Sequence, residues 1–419
     1  VSDATSAHEL VEHSFRHDYG RLVAVLVRRV GAQHLELVED AVQSSLMAAL
    51  TAWTSGHWPK EPNAWLFRAA YNRVVQDLRI ENGRHRILHR IGETNADSMV
   101  APNDPASVDE IGDDLLRMLF VCCDDVVPWE SRVMLALKTL CGFSTGEIAL
   151  RLFTSEANVY KRLARARDRL RQSALAVETP PLHALRSRLP AVHAVLYQLF
   201  NEGYLSFQGE QAIRRELCDE AIRLSTLLAE HPAGAVPETS ALLSLMHFHA
   251  ARLGARTDAM GGLLLLEEQN RSVWDRDRIV AGMEWLRRSA NGAAFSRYHA
   301  EAGIAAVHCL APSFADTRWD EIIDLYTILE RTAPSPLHTL NRALAVAEST
   351  GALAALEVLE GLAPPAWLVG SYLWDAVLSD LHARVGNAII AEQHRTRALD
   401  SAPTESVRVA LHRRLKTRG

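Results

Sequence analysis

Apolar residues recur at three- and four-residue intervals along almost the whole chain, and alternating runs bounded by turn residues are missing. This pattern predicts an all-α fold. Over 18–30, Leu22, Val23, Leu26, Val27 and Val30 share one helical face. Residues 36–53 repeat the pattern through Leu37, Val38, Ala41, Val42, Leu46, Ala49 and Leu50. After the Trp58-Pro59 break a third long helix is predicted over 63–80, with Leu66, Ala70, Val74 and Leu78 on its buried face. The strongest local pattern lies in 144–171, where two helices meet at a tight turn. Ser144 or Thr145 caps the first, which runs to about Phe153, and Ser155 caps a second that begins at Glu156. On the second helix Val159, Leu163, Ala166 and Leu170 form the stripe that must face the protein. Tyr160, Lys161, Ala164, Arg165 and Asp168 lie on another face, with Arg162, Arg167 and Arg169 on its flanks. Ala149 precedes Val159 by ten residues, the spacing at which two such helices pack. Phe153 stands where such turns often hold glycine, so a strictly glycine-dependent turn is not expected.

The chain has 419 residues, and at roughly 100–200 residues per domain this predicts two to four domains. With 48% hydrophobic and 23% charged residues, disordered and collagen-like classes are excluded. No run of about 18 apolar residues occurs and the first residues lack a basic, apolar secretion signal, so a soluble cytoplasmic protein without membrane contact is expected. The five cysteines show no paired CxxC spacing, which argues against a zinc ribbon or a disulfide framework and for reduced, buried thiols. The net charge of −6 gives no global sign of a polyanion partner. Locally the picture changes. Residues 63–90 carry six basic against two acidic residues, and 151–171 carry seven against two. Between them, 92–114 holds seven acidic residues, no basic ones, and Pro102 and Pro105, the composition of a linker. A second boundary is expected at Pro180-Pro181, beyond which 24 basic and 27 acidic residues balance.

A basic helix preceded by a capped helix and a tight turn is a device for entering the major groove, which at about 12 Å wide admits one helix. Base edges and phosphates are then within reach of Asn158, Tyr160, Lys161, Arg162, Ala164, Arg165, Arg167 and Arg169. An Arg-rich helix face that is merely solvated is the plainer alternative.

Three stretches together resemble an extracytoplasmic-function sigma factor, the small promoter-specificity subunit of bacterial RNA polymerase. They are HLELVEDAVQSSLMAALTAW, EPNAWLFRAAYNRVVQDLRIENGRHR and the long DDLLRMLFVCCDDVVPWESRVMLALKTLCGFSTGEIALRLFTSEANVYKRLARARDRLR. The resemblance implies a region 2-like domain over 8–90, an acidic linker over 91–112, and a region 4-like helix-turn-helix domain over 113–175 that reads the −35 element. It implies core-polymerase contact at Asp40 and Gln43, whose one-turn spacing puts both on one face. It implies −10 recognition and melting at Asn72, Arg73, Gln76 and Arg79, with Trp58 in the loop 54–62 that pockets a flipped base. Strand separation calls for such aromatic, amide and cationic groups. The implied partners are promoter DNA and core RNA polymerase, through the clamp helices of its largest subunit and its β flap. No enzyme activity, metal or cofactor is expected of the chain, because the polymerase carries the catalysis and its magnesium.

Residues 181–419 exceed a minimal sigma factor and read as paired helices rich in Ala and Leu. Ala391, Ala398 and Pro403 match the offsets of a tetratricopeptide second helix, and Gly351 and Gly386 lie 35 residues apart, near the repeat length. The half resembles the tetratricopeptide-like extension of one sigma subgroup, which implies a surface for a protein or peptide ligand and a regulatory part. Site readings are weak here. His247 and His249 point to different faces of a helix with no third ligand evident, Asn201-Glu202-Gly203-Tyr204 carries no further catalytic pattern, and Gly261-Gly262 lacks P-loop spacing. Two other readings stay open: a helix-turn-helix regulator that replaces no sigma subunit, and a helical adaptor that has lost promoter function.

Overall fold

The computed structural model describes residues 19–54, 59–89, 108–173, 181–206, 213–258, 261–292 and 295–416, with only the backbone course at 54, 81–89 and 108–113. The described residues form nineteen α-helices and no strand, so the all-α expectation holds. The chain divides into two compact units, 1–195 and 196–419.

The first unit contains α1 (Tyr19–Val30), α2 (Leu35–Thr54), α3 (Pro62–His89), α4 (Val108–Cys122), α5 (Trp129–Thr139), α6 (Thr145–Arg151) and α7 (Glu156–Gln172). Each long helix buries the stripe its sequence marks: Leu22, Val23 and Leu26 on α1, Val38, Val42, Leu46 and Ala49 on α2, and Leu66, Ala70, Val74 and Leu78 on α3. α3 extends nine residues past the predicted end at Ile80. α1 packs on α2 and on α4, and α7 packs on α5, α6 and the 3-10 turn Ala32–His34. Gly20 of α1 allows a further close approach, to the backbone just past α5. A Cβ there would lie 2.1 Å from the carbonyl oxygen of Leu140, just beyond α5.

Eight (Leu182–Tyr204) is the next helix, α8, and the division between units falls inside it rather than at Pro180-Pro181. The reason is visible in its first turns. Buried Arg188 donates to the Phe120 carbonyl at 3.1 Å and pairs with Asp124, while Ser187 Oγ donates to Asp125 at 2.8 Å. These bonds tie the start of α8 to the α4–α5 turn.

The second unit adds α9 (Arg215–Glu230), α10 (Pro237–Ala251), α11 (Arg276–Ser289), α12 (Arg297–Leu310), α13 (Trp319–Thr332), α14 (Pro336–Ser349), α15 (Ala352–Leu359), α16 (Ala366–Val369), α17 (Tyr372–Arg384), α18 (Ala388–Asp400) and α19 (Glu405–Lys416). α10 is buried nearly all round, through Ala241, Leu242, Leu243, Leu245, Met246, Phe248, Ala250 and Ala251, and α9, α11 and α12 pack against it. Such an apolar surround is what a central helix requires. Further along, α14 and α15 pair, as do α17 and α18. Gly351 (φ +113°) and Gly386 (φ +85°) occupy the turns within these pairs, where only glycine adopts the backbone without strain. Among the described residues no helix is long and apolar enough to cross a membrane.

Candidate nucleic-acid interface

The two capped helices of the predicted motif are α6 and α7. Ser144 caps α6: its Oγ accepts from Glu147 N at 3.1 Å, while the Glu147 carboxylate accepts from Ser144 N at 2.6 Å. α6 stops at Arg151, two residues before the expected end. Ser155 Oγ accepts from Asn158 N at 3.3 Å and starts α7. Thr145 Oγ1 donates to Glu156 at 3.2 Å, fastening one helix start to the other. Ala149 and Val159 are both buried, as their spacing predicts. Phe153 adopts φ +50° and is the one described non-glycine residue with positive φ. The turn thus takes the left-handed geometry usually given to glycine although a bulky residue occupies it.

Val159, Leu163, Ala166 and Leu170 are buried, so the helix presents its other sides outward. Tyr160 is 61% exposed, and Lys161, Ala164, Arg165, Asp168 and Arg169 are exposed with it. Arg165, Asp168 and Arg169 line an open cleft of about 530 Å³ with Pro128 and Gln172. Asp168 is paired with Arg171. Two of the expected contact residues are engaged within the motif: Asn158 donates to Thr154 Oγ1 at 2.8 Å and accepts from Arg162 Nε at 3.2 Å, and Arg162 reaches Glu130 at 3.5 Å. They brace the start of α7.

Arg167 departs from the expected face. It turns inward and donates to Glu39 Oε2 from Nε at 3.0 Å and from Nη2 at 2.6 Å. Glu39 is buried on α2 and also accepts from Thr139 Oγ1 at 2.7 Å. The correction has a simple cause. Residue 167 follows buried Ala166, close enough to the apolar stripe for a long side chain to reach a carboxylate beneath it. A second pair joins α1 to α4: Arg28 Nη1 lies 3.0 Å from Asp114 Oδ1, and Arg117 lies 3.2 Å from the same atom. Glu39, Thr139 and Asp114 were not singled out in the sequence. Glu39 carried a signal, since it sits one turn from Leu35 and Val42 inside an apolar stripe, where an unpartnered carboxylate is costly.

On α3 the residues expected to meet the separated strand share an outward side. Asn72, Arg73, Gln76 and Arg79 are exposed opposite the buried stripe, and Arg73 lies 3.4 Å from Asp77. Tyr71 stacks on Phe67 with centroids 6.0 Å apart, and Arg29 covers Phe67 at 4.9 Å. Trp53 is buried and meets half-buried Trp65 edge-on at 5.9 Å, so these rings belong to the core. Trp58 lies outside the described residues, as does most of the acidic linker. Asp40 and Gln43 are both exposed on α2, and Met47, 66% exposed, continues their row.

The Asn201-Glu202-Gly203-Tyr204 stretch serves packing at Gly203 and Glu202. A Cβ at Gly203 would lie 2.6 Å from Cys218 N and 2.8 Å from its Sγ, so this glycine allows α8 to approach α9. Glu202 accepts from Ser206 Oγ at 2.6 Å. No cluster of His, Cys, Asp and Glu suited to a metal occurs among the described residues. None of the five cysteines is in a disulfide, four of them are buried, and burial pushes the Cys123 and Cys218 thiols up to about 12.

Residues 122–170 match the family Sigma-70, region 4, and residues 188–290 match a family of unknown function (DUF6596). Over 380 residues the chain is 33% identical to an uncharacterized protein of Rhizobium meliloti (strain 1021), a likeness covering 89% of this chain and 88% of that protein. The chain belongs to that protein's family. In this family member the helix-turn-helix of α6 and α7 is of the sigma-70 region 4 kind, which supports a sigma-factor-like role in transcription through a helical DNA-binding domain. No solved structure matches the chain.

Proposed function

We propose that this protein is a sigma factor of the extracytoplasmic-function type, which directs core RNA polymerase to specific promoters and starts transcription there. The observation that carries the reading is the exposed Tyr160–Lys161–Ala164–Arg165–Arg169 side of α7, in a segment matching sigma-70 region 4. In this reading α7 enters the major groove at the −35 element. Arg165 and Lys161 reach base edges there, while Arg169 and Tyr160 hold the backbone. Asn158 and Arg162 act mainly by bracing the helix, and Arg167 is released to DNA only if its bond to Glu39 opens. Asn72, Arg73, Gln76 and Arg79 on α3 receive the separated −10 strand, with Trp58 in the preceding loop. Asp40 and Gln43, beside Met47, dock on the clamp helices of the polymerase's largest subunit, and the region 4-like part meets the β flap. The work is done by binding free energy: two DNA-reading surfaces held on one polymerase gain avidity without any bond chemistry of the chain itself. The helix pairs of 336–400 supply a tetratricopeptide-like interaction surface with a regulatory part.

The test is transcription in vitro. Purified full-length protein is added to sigma-free core polymerase with a library of promoter fragments, and transcript starts are mapped. Starts confined to fragments with a common upstream element are expected. A second reading is favoured by the extent of the sigma-70 match, which covers region 4 alone: a helix-turn-helix regulator that acts without replacing another sigma subunit. It predicts DNA binding but no transcript starts by this protein and core polymerase alone.

A further inference from the structure

The second unit holds a group of three arginines that form no ion pair among the described residues. Arg252 closes α10, Arg256 follows it, and Arg271 lies in the 3-10 turn Arg271–Val273. Two of them share a ring: the guanidinium carbons of Arg252 and Arg271 stand 5.5 Å and 4.6 Å from the Trp274 ring centre. Arg256 stands 3.6 Å over Tyr204, whose ring is 4.9 Å from that of His249. His308 of α12 closes the other side, its ring 5.4 Å from Trp319. Arg252 is only 9% exposed. Among the described residues it makes no ion pair, and its Nε is buried without a hydrogen-bond partner. Arg271 Nη2, Trp274 Nε1, His249 Nδ1 and His308 Nδ1 are buried and unpartnered in the same way. Arg271 otherwise gives its protons to main chain, at Ala311 O (2.8 Å) and His308 O (2.5 Å). Asp316, the carboxylate whose charge it feels, is occupied by Ser313 Oγ at 2.6 Å.

One buried and two half-buried guanidiniums without a counter-ion among the described residues, beside buried unused donors, are an unstable arrangement unless something anionic completes it. The occupant must be small, because the donors are buried, and it must accept many hydrogen bonds, because the unused groups are donors or neutral imidazoles. A carboxylate offers two oxygens and one charge. A phosphate group offers three or more oxygens and about two charges, and guanidinium forks suit it. We propose that Arg252, Arg256, Arg271, Trp274, His249 and His308 form a binding site for a small phosphate-bearing anion. Five of these six residues lie within the segment 188–290 that matches a family of unknown function, and the site stands whether or not the chain acts as a sigma factor.

The experiment is calorimetric titration and thermal melting of the full chain in Tris chloride. The probes are inorganic phosphate and glycerol 3-phosphate, with sodium chloride at matched ionic strength as the control. Saturable binding is expected, with a rise in Tm that chloride does not reproduce. Arg252→Met should weaken it by at least about tenfold, and Arg271→Lys, which keeps the charge but loses the fork, by several fold. Tighter binding of glycerol 3-phosphate marks a phosphomonoester as the ligand, and tighter binding of phosphate marks the free ion. Either probe binding saturably, with loss in Arg271→Lys, sustains the proposal even if Arg252→Met does not fold. A response no greater than that of chloride, or one unchanged in Arg271→Lys, overturns it.

Discussion

Arginines occupy two kinds of place in this chain. On α7 and α3 they stand at the surface, and the one that turns inward, Arg167, meets the buried carboxylate Glu39. In the second unit Arg252, Arg256 and Arg271 are withdrawn among aromatic rings with no carboxylate bonded to them. Water solvates the exposed set, which suits the extended, salt-sensitive contact with a polyanion proposed for it. The withdrawn set, with Arg252 buried and Arg256 and Arg271 half-buried, has lost part of that water, which suits the compact anion proposed above. The same residue type therefore points to a polymer in one unit and to a small molecule in the other.

The largest expected effect breaks the comparison from the side of the withdrawn set. Burial, then the charges of Arg252 and its neighbours, push His249 and His308 down to about 3. Unfolded imidazoles titrate near 6.5, so below that pH the unfolded chain binds protons that the folded chain refuses, and stability falls as pH drops. Between pH 7.5 and pH 5 each histidine should remove about 2 kcal/mol, read by denaturant unfolding in phosphate-free buffer. His308→Gln should flatten the slope by one proton's share, and an unchanged slope would contradict the placement.

Glu39→Ala turns Arg167 into a cation like Arg252, buried without a counter-ion, and should cost about 3 kcal/mol. Asp77→Ala, which removes a partner from exposed Arg73, should cost under ~1 kcal/mol in the same denaturation experiment. Equal losses would deny that burial separates the two kinds of arginine pair. A smaller effect concerns the frame that presents the α7 cations. Phe153→Gly relieves the left-handed backbone and should stabilise the first unit by ~1 kcal/mol, visible as a raised Tm. A lowered Tm would mean that the Phe153 ring holds the turn more strongly than its backbone strains it.

Much of this was legible in the pattern of residues. The buried stripes of α1, α2, α3 and α7 are those that periodicity marks, because a helix face that must leave water leaves a three- and four-residue signature. The caps at Ser144 and Ser155 were legible for the same local reason. Arg167 was not, since residues flanking a stripe choose between water and a buried acid that lies 128 positions away. The withdrawn arginines were equally hidden. The even balance of charge beyond Pro180 averages over Arg252, Arg256 and Arg271, and only folding shows that none of the described acids comes near enough to pair with them. Left-handed Phe153 is a third case, in which the backbone bond of the turn, Thr154 N to Ala149 O at 2.9 Å, goes with a conformation that the exposed phenylalanine itself disfavours.

The most direct test of the outward α7 face compares Arg165→Ala with Arg169→Ala in selection of upstream promoter sequences by the protein bound to core polymerase. The account predicts that Arg165→Ala loses about 1–3 kcal/mol of discrimination at one base position, while Arg169→Ala weakens all sequences alike and lowers the salt dependence. Identical losses at every position for both variants, or no loss for either, would contradict it.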